Sequence, residues 1–101
     1  MAYQDLTFGG KRRDRTGVIC DLLVEARRGA SITELIYKTN LNHKLCKDYI
    51  DFLLRRILLD VRNSNDQALY VTTKRGEDFL HHYTKLREMF LQEEPRRIPV
   101  T

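Results

Sequence analysis

The alternation of apolar and polar positions divides the chain into four helical stretches and one pair of strands. The first helical stretch, predicted from about Asp14 to Arg28, repeats apolar residues at the i, i+3, i+4, i+7 spacing of one buried face: Ile19, Leu22, Leu23 and Ala26. Arg27 and Arg28 suit the negative end of the helix dipole. Gly29 is then expected to cap this helix in a left-handed conformation.

Two further helices are predicted in close succession. Ser31-Ile-Thr-Glu34 is a capping box, in which the serine hydroxyl and the glutamate carboxylate satisfy free amides at a helix start. Asn40 is expected to end this helix in the left-handed conformation, and Asn42 to cap the next helix, which spans residues 42–56. The apolar stripe of that third helix comprises Cys46, Tyr49, Ile50, Leu53 and Leu54, and it is widened by Leu45 and Phe52.

A period-two pattern follows on both sides of a polar loop. In segment 58–62, Leu59 and Val61 alternate with Asp60 and Arg62, and in segment 68–72, Leu69 and Val71 alternate with Ala68 and Tyr70. The loop 63–67 between them contains only Asn, Ser, Asp and Gln. Two such segments around a short polar loop predict a β-hairpin.

A final helix is predicted from Thr73 to Gln92, with Thr73 as its N-cap. Its aromatic and aliphatic residues step by 4, 3 and 4 positions, which is the spacing of a coiled-coil seam: Phe79, Tyr83, Leu86 and Phe90. This seam can pack against the first helix of the same chain or pair with a second copy of the chain. Because the other apolar faces already supply a small core, we favour a homodimer joined by these four residues.

The element order predicts an α+β winged helix-turn-helix fold, arranged α-α-α-β-β-α with a long C-terminal dimerisation helix. We assign residues 11–72 to the winged domain, 73–92 to the dimerisation helix, 1–10 to a flexible N-terminal arm and 93–101 to a disordered tail. Winged helices commonly read duplex DNA, with the second helix of the helix-turn-helix in the major groove.

Composition narrows the class of protein. The 101 residues suffice for one domain, and no apolar run reaches the ~20 residues that cross a bilayer. The N-terminus lacks a signal-peptide core, so we expect a cytoplasmic protein. No metal-ligand spacing, phosphate loop or catalytic motif is present, and neither an enzyme nor a cofactor is predicted. Cys20 and Cys46 are expected to be buried free thiols, with a redox pair as the alternative.

The positive charge is concentrated in the first part of the chain. Residues 1–56 contain 11 Lys and Arg and 7 Asp and Glu, whereas residues 57–101 contain 7 of each. Between Tyr37 and Lys47 there are three lysines, one histidine and no acid. This concentration beside the candidate recognition helix favours a polyanionic partner.

The candidate DNA-contacting residues follow from this placement. We expect Asn42, His43, Lys44 and Lys47 to reach the major groove, and Lys38 to contact a phosphate. Asp48 and Asp51 would repel phosphates, so the contact is expected to be limited to the first two helical turns. Arg62 on the wing is expected to enter the minor groove or to pair with a phosphate. The basic arm is expected to reach the DNA backbone or a neighbouring groove through Lys11, Arg12, Arg13 and Arg15. The alternative for every one of these residues is an ordinary solvated surface.

Several strings carry a resemblance to a known family. Ile19-Cys-Asp-Leu-Leu23, Thr33 to Asn42, Tyr49 to Leu54 and Tyr70 to Leu80 resemble the archaeal winged helix-turn-helix family of short transcriptional regulators and small chromatin proteins. The resemblance covers roughly residues 12–91, and it implies a DNA-binding homodimer joined by the last helix. The family usually has glycine after the recognition helix, where this chain has Ile57. Because a β-branched residue resists positive φ, we expect a right-handed or extended conformation at Ile57.

Taken together, these features predict a double-stranded DNA-binding protein that acts as a dimeric transcriptional regulator. Two alternatives stay open: a chromatin protein that coats DNA without choosing sequence, and a winged helix that binds other proteins instead of DNA. No small-molecule ligand and no membrane association are predicted.

Overall fold

The computed structural model describes residues 14–91. Its elements are α1 (Arg15–Glu25), α2 (Ile32–Thr39), α3 (His43–Arg55), β1 (Leu59–Ser64), β2 (Gln67–Thr72) and α4 (Lys74–Leu91). This order confirms the predicted winged-helix arrangement. The arm over residues 1–10, the basic residues Lys11, Arg12 and Arg13, and the tail over residues 93–101 lie outside the described residues.

The hydrophobic core lies where α1, α2 and α3 meet. Its largest fully buried side chains come from these three helices: Leu22, Leu23, Leu35, Cys46, Ile50 and Leu53. The hairpin closes the core with Leu59, and α4 closes it with Leu80. Burying a leucine of this kind contributes about 1.5–3 kcal/mol, so these contacts fix the position of α3 relative to the other helices.

Helix α1 is shorter than predicted. It ends at Glu25 with Ala26 as C-cap, so the expected end at Arg28 and the expected cap at Gly29 are wrong. The reason is a tertiary contact, because Ala30 forms two backbone hydrogen bonds with Tyr70 of β2, at 3.0 and 2.8 Å. This pairing draws the chain out of the helix early. Gly29 does have a positive φ, of 94°, but it lies in the connection to α2.

The boundaries of α2 and the start of α3 follow the predicted local chemistry. Ser31 and Glu34 form the capping box, with the serine oxygen accepting from the Glu34 amide at 3.2 Å. Asn40 ends α2 in the left-handed conformation. Asn42 caps α3, since its side-chain oxygen accepts from the Leu45 amide at 2.7 Å.

The hairpin has its turn at Asn65 and Asp66, which both have positive φ, as a two-residue hairpin turn requires. Leu59 pairs with Thr72 across the strands, and Val61 pairs with Tyr70. Tyr70 packs against the core, while Leu69 and Val71 lie on the other face of β2, near Gly29. The strand β2 therefore carries apolar contacts on both of its faces.

The link between α3 and β1 differs from our expectation. Ile57 has a φ of 62°, in the left-handed region, although its side chain is β-branched. The Ile57 amide donates to the Leu54 carbonyl and the Leu58 amide donates to the Leu53 carbonyl, at 3.0 and 2.9 Å, which is the Schellman pattern of a helix end. This geometry turns Leu58 into the core, and the burial of Leu58 outweighs the strain at Ile57.

Candidate nucleic-acid interface

Helix α3 buries one side and exposes the other. Cys46, Ile50 and Leu53 are buried, in agreement with the predicted stripe. His43, Lys44, Lys47 and Asp48 lie on the exposed side. The polar face of the first two helical turns is therefore accessible to a partner, while the opposite face holds the helix in the core.

Asn42 caps α3 in addition to its predicted role as a DNA-contacting residue. Its side-chain oxygen is occupied by the Leu45 amide, so the side-chain NH₂ group is the part left to donate to a base or a phosphate. A contact that needed both the oxygen and the nitrogen of this amide would have to break the cap.

Within residues 14–91, each of the three predicted DNA-contacting lysines ends beside a carboxylate. The Lys44 ammonium lies 3.1 Å from Asp48, and the Lys47 ammonium lies 3.8 Å from Asp51. Lys38 lies 4.0 Å from Glu25 of α1. Three positive and three negative charges thus share this surface, and they sum to zero.

The ion pairs of Lys44 and Lys47 were not predicted, since Asp48 and Asp51 were expected only to repel phosphate. The signal was present in the sequence, since Lys and Asp four residues apart lie next to each other on a helix. All three pairs are solvent-exposed, and exposed pairs contribute only about 0.2–1 kcal/mol. A phosphate can therefore replace the carboxylate at small cost.

The remaining predicted contacts occupy different places. His43 is exposed at the first position of α3, and Arg62 is exposed on β1, opposite Leu69. Within residues 14–91 neither forms an ion pair. Arg15, at the start of α1, lines an open hollow together with Asp48 and Tyr49, so it lies beside α3.

The predicted seam on α4 divides into two parts. Phe79 and Tyr83 pack against the core of the same chain, and burial raises the pKa of the Tyr83 hydroxyl. Beyond Tyr83 the apolar side chains are largely exposed, at 54, 75, 59 and 54 % for Leu86, Met89, Phe90 and Leu91. The first half of the helix thus belongs to the chain's own core, and its second half carries an apolar surface.

The chain as a whole matches a known family model. Residues 12–91 match the model of the winged helix-turn-helix. The chain belongs to the winged helix-turn-helix family. No curated protein matches it at a significant level.

Solved structures share this winged helix. The DNA-binding protein Sso10a-2 from Sulfolobus solfataricus is 26% identical, with a TM-score of 0.68 over 77% of this chain and 85% of that one. A MarR family protein from Bacillus stearothermophilus is 17% identical, with a TM-score of 0.66 over 87% of this chain and 62% of that one. BpsR from Bordetella bronchiseptica is 18% identical, with a TM-score of 0.64 over 92% and 71%. The last two likenesses concern the fold alone.

One further side chain of this winged helix is exposed on α2, next to Lys38. Tyr37 of α2 is 83% exposed and directly precedes Lys38. Tyrosine hydroxyls are among the groups that contact phosphates, and this residue was not predicted as a functional one. Its signal in the sequence is its position outside the apolar stripe formed by Ile32, Leu35 and Ile36, of which Leu35 is buried and the two isoleucines are partly buried.

The two thiols of the winged helix are buried and free, as predicted. Burial raises the pKa of Cys20 to about 12, and it also raises the pKa of Cys46. Both are therefore held as neutral thiols near pH 7, in which form cysteine is a poor nucleophile and a poor metal ligand. Within residues 14–91 there is no group of metal-binding side chains, and no helix is long and apolar enough to cross a membrane.

Proposed function

We propose that this protein binds double-stranded DNA as a dimeric transcriptional regulator that reads the major groove with α3. The observation that carries the proposal is the division of α3 into a buried stripe and an exposed polar face over its first two turns, next to a hairpin wing. A helix that enters a groove needs such a face on a rigid support. The likeness to the DNA-binding protein Sso10a-2 supports the same function.

In the proposed complex, the contacts divide by chemistry. His43 and the side-chain NH₂ of Asn42 face base edges, while Lys44, Lys47 and Lys38 exchange their carboxylate partners for phosphates. Contacts from the wing and the start of the chain add sequence-independent affinity through counterion release: Arg62, Arg12, Arg13 and Arg15.

The proposed dimer is formed by the second half of α4. Exposed apolar side chains at Leu86 and Phe90 lie on one side of that helix, and a second copy of the same helix covers them with matching chemistry. A two-fold axis there presents two α3 helices to two half-sites on one duplex, about one helical turn apart. Phe79 and Tyr83 support this interface from the core side.

The DNA-binding test is fluorescence anisotropy with a labelled random duplex across a salt series. The double variant Lys44→Ala/Lys47→Ala is compared with Lys74→Ala/Lys85→Ala, which removes the same charge from α4. We expect the first variant to lose about two units per subunit from the log–log salt slope. The second variant is expected to keep the wild-type slope. Absence of wild-type binding at low salt would contradict the proposal and favour a protein-binding role.

Sequence choice is tested by selecting duplexes from a random library with the wild-type protein. A regulator binds its selected duplex about 10³-fold or more tightly than random DNA. A ratio near one indicates a protein that coats DNA without regard to sequence.

The dimer test places two carboxylates on the apolar side of α4. Leu86→Glu/Phe90→Glu is expected to convert the protein to a monomer, because association would bury the new charges. The matched control is His81→Glu/Thr84→Glu, since these exposed residues lie on the opposite side of the helix. Light scattering measures the mass of each variant. A monomeric wild type would refute the dimer.

A further inference from the structure

The lysines of the proposed DNA surface do not present free charge. Lys44 and Lys47 point to carboxylates one turn later on the same helix, at 3.1 and 3.8 Å, and Lys38 reaches across to α1. Random DNA is bound through phosphates, so lysines whose charges are balanced by neighbouring carboxylates attract it less than free lysines would. Base contacts by the Asn42 amide and His43 do not depend on these lysines.

Resting on the proposed function, we propose that Asp48 and Asp51 set the selectivity of this surface by competing with phosphate for Lys44 and Lys47. On random DNA, the lysines gain phosphates only by giving up their present partners. On a duplex whose bases also bind Asn42 and His43, these additional contacts offset the free-energy cost of exchanging the carboxylates for phosphates. The carboxylates therefore lower the affinity for random DNA more than the affinity for the selected duplex.

Asp48 is the stronger of the two determinants. Its partner Lys44 is the closer lysine, and Asp48 also lines the hollows on both of its sides, one with His43 and Lys44 and the other with Arg15. Asp48 therefore pairs with Lys44 and also lines a hollow with Arg15, a second cation of the proposed DNA surface. Replacing Asp48 by asparagine keeps the size of the side chain and removes the charge.

The chain offers a matched control on another helix. Lys74 and Asp78 of α4 form an ion pair with the same i, i+4 spacing, at 3.6 Å. The side chains of this pair are 87 and 59% exposed, against 85 and 59% for Lys44 and Asp48. Asp78→Asn therefore makes the same chemical change in the same local setting, away from the proposed DNA surface.

The experiment measures the affinity of each variant for a random duplex and for the duplex most enriched by wild-type selection. An exposed pair is worth about a factor of two, so Asp48→Asn/Asp51→Asn is expected to strengthen random binding at least about fourfold. The selected duplex is expected to gain less, which lowers the selectivity ratio. Asp78→Asn, compared with the single variant Asp48→Asn, is expected to leave both affinities unchanged, and an effect equal to that of Asp48→Asn would overturn the inference.

A double-mutant cycle tests whether Asp48 acts through Lys44. In a Lys44→Ala background, Asp48→Asn is expected to lose most of its effect, because its partner is gone. If Asp48→Asn still strengthens the binding of random DNA in that background, Asp48 acts by repelling phosphate directly, and the inference is overturned. Weaker binding of the selected duplex by Asp48→Asn means that Asp48 contacts a base, and this also overturns it. In both cases DNA binding by the wild type stands, whereas a wild type that binds no duplex refutes the proposed function itself.

Discussion

The two ends of α3 are held in place by different kinds of interaction. At the N-terminal end, Asn40 and Asn42 form bonds to residues three or four positions away, and the surface around them is open. At the C-terminal end, Ile57 is strained, and its carbonyl accepts from the Thr73 hydroxyl at 2.7 Å. The Arg75 Nε donates to the Arg56 carbonyl at 3.0 Å. The end proposed to meet DNA is thus fixed by local chemistry, and the far end is fixed by α4.

The largest effect is expected where α4 passes closest to this junction. A Cβ added to Gly76 would collide with the Leu58 carbonyl oxygen and lie 2.7 Å from the Thr72 methyl carbon. We expect Gly76→Ala to lower the free energy of unfolding by about 3 kcal/mol, despite the better helix propensity of alanine. Urea unfolding at fixed protein concentration measures it. The exposed neighbour Lys74→Ala is the control. Equal stability of the two variants would show that the backbone at Leu58 can shift to make room for the added methyl group.

The second-largest loss of stability is expected from removing the Thr73 hydroxyl. This hydroxyl donates to the Ile57 carbonyl and accepts from the Gly76 amide at 3.0 Å. Thr73→Val is expected to cost about 2 kcal/mol, since it removes both a helix cap and a hydrogen bond to the strained residue. Thr73→Ser keeps the hydroxyl and is expected to lose much less. If serine and valine destabilise equally, the methyl group and not the hydroxyl is the important contact.

Asn42 probes the other end of α3. Asn42→Ala removes the cap and is expected to cost about 1 kcal/mol in the same unfolding measurement. Asn42→Asp keeps the oxygen acceptor and is expected to retain the stability. The aspartate variant nevertheless lacks the NH₂ donor, so its affinity for the selected duplex is expected to fall. Unchanged DNA affinity in Asn42→Asp would limit this residue to capping.

Ile57 gives the smallest expected effect, and it has the opposite sign. Ile57→Gly relieves the strain of a left-handed β-branched residue, and we expect a gain of about 0.5–1 kcal/mol after the entropy cost of glycine. The side chain is 64% exposed, so little packing is lost. Ile57→Ala removes the β-branch but keeps a Cβ, and it is expected to lie between isoleucine and glycine. A loss of stability in Ile57→Gly would mean that the exposed side chain has a contact of its own.

The same contrast explains how much of the molecule the sequence could predict. Ser31, Asn40 and Asn42 act through neighbours in the chain, so their roles were predicted correctly from residue type and spacing. The conformation of Ile57 was predicted wrongly, because it is imposed by the burial of Leu58 and by bonds from α4. The end of α1 was misplaced for a similar reason, the pairing of Ala30 with a distant strand.

Periodicity has a comparable limit on α4. The spacing of Phe79, Tyr83, Leu86 and Phe90 predicts one apolar side of a helix, but it does not tell which neighbour covers each residue. The structure uses Phe79 and Tyr83 within the chain and exposes Leu86. On α3, the four-residue spacing of Lys44 and Asp48 suffices to predict their ion pair, but only the separate effects of the two charges on DNA were predicted.

The contacts of Gly76 and Thr73 with the end of α3 have a consequence for the DNA sites that a dimer can bind. If α4 joins two subunits, these contacts hold each α3 rigidly relative to the dimer interface, so the distance and the angle between the two recognition helices are fixed. Such a dimer senses the helical phase of its target, because one inserted base pair turns one half-site by roughly 35° about the duplex axis. Binding would then depend on the number of base pairs between half-sites as sharply as on their sequence.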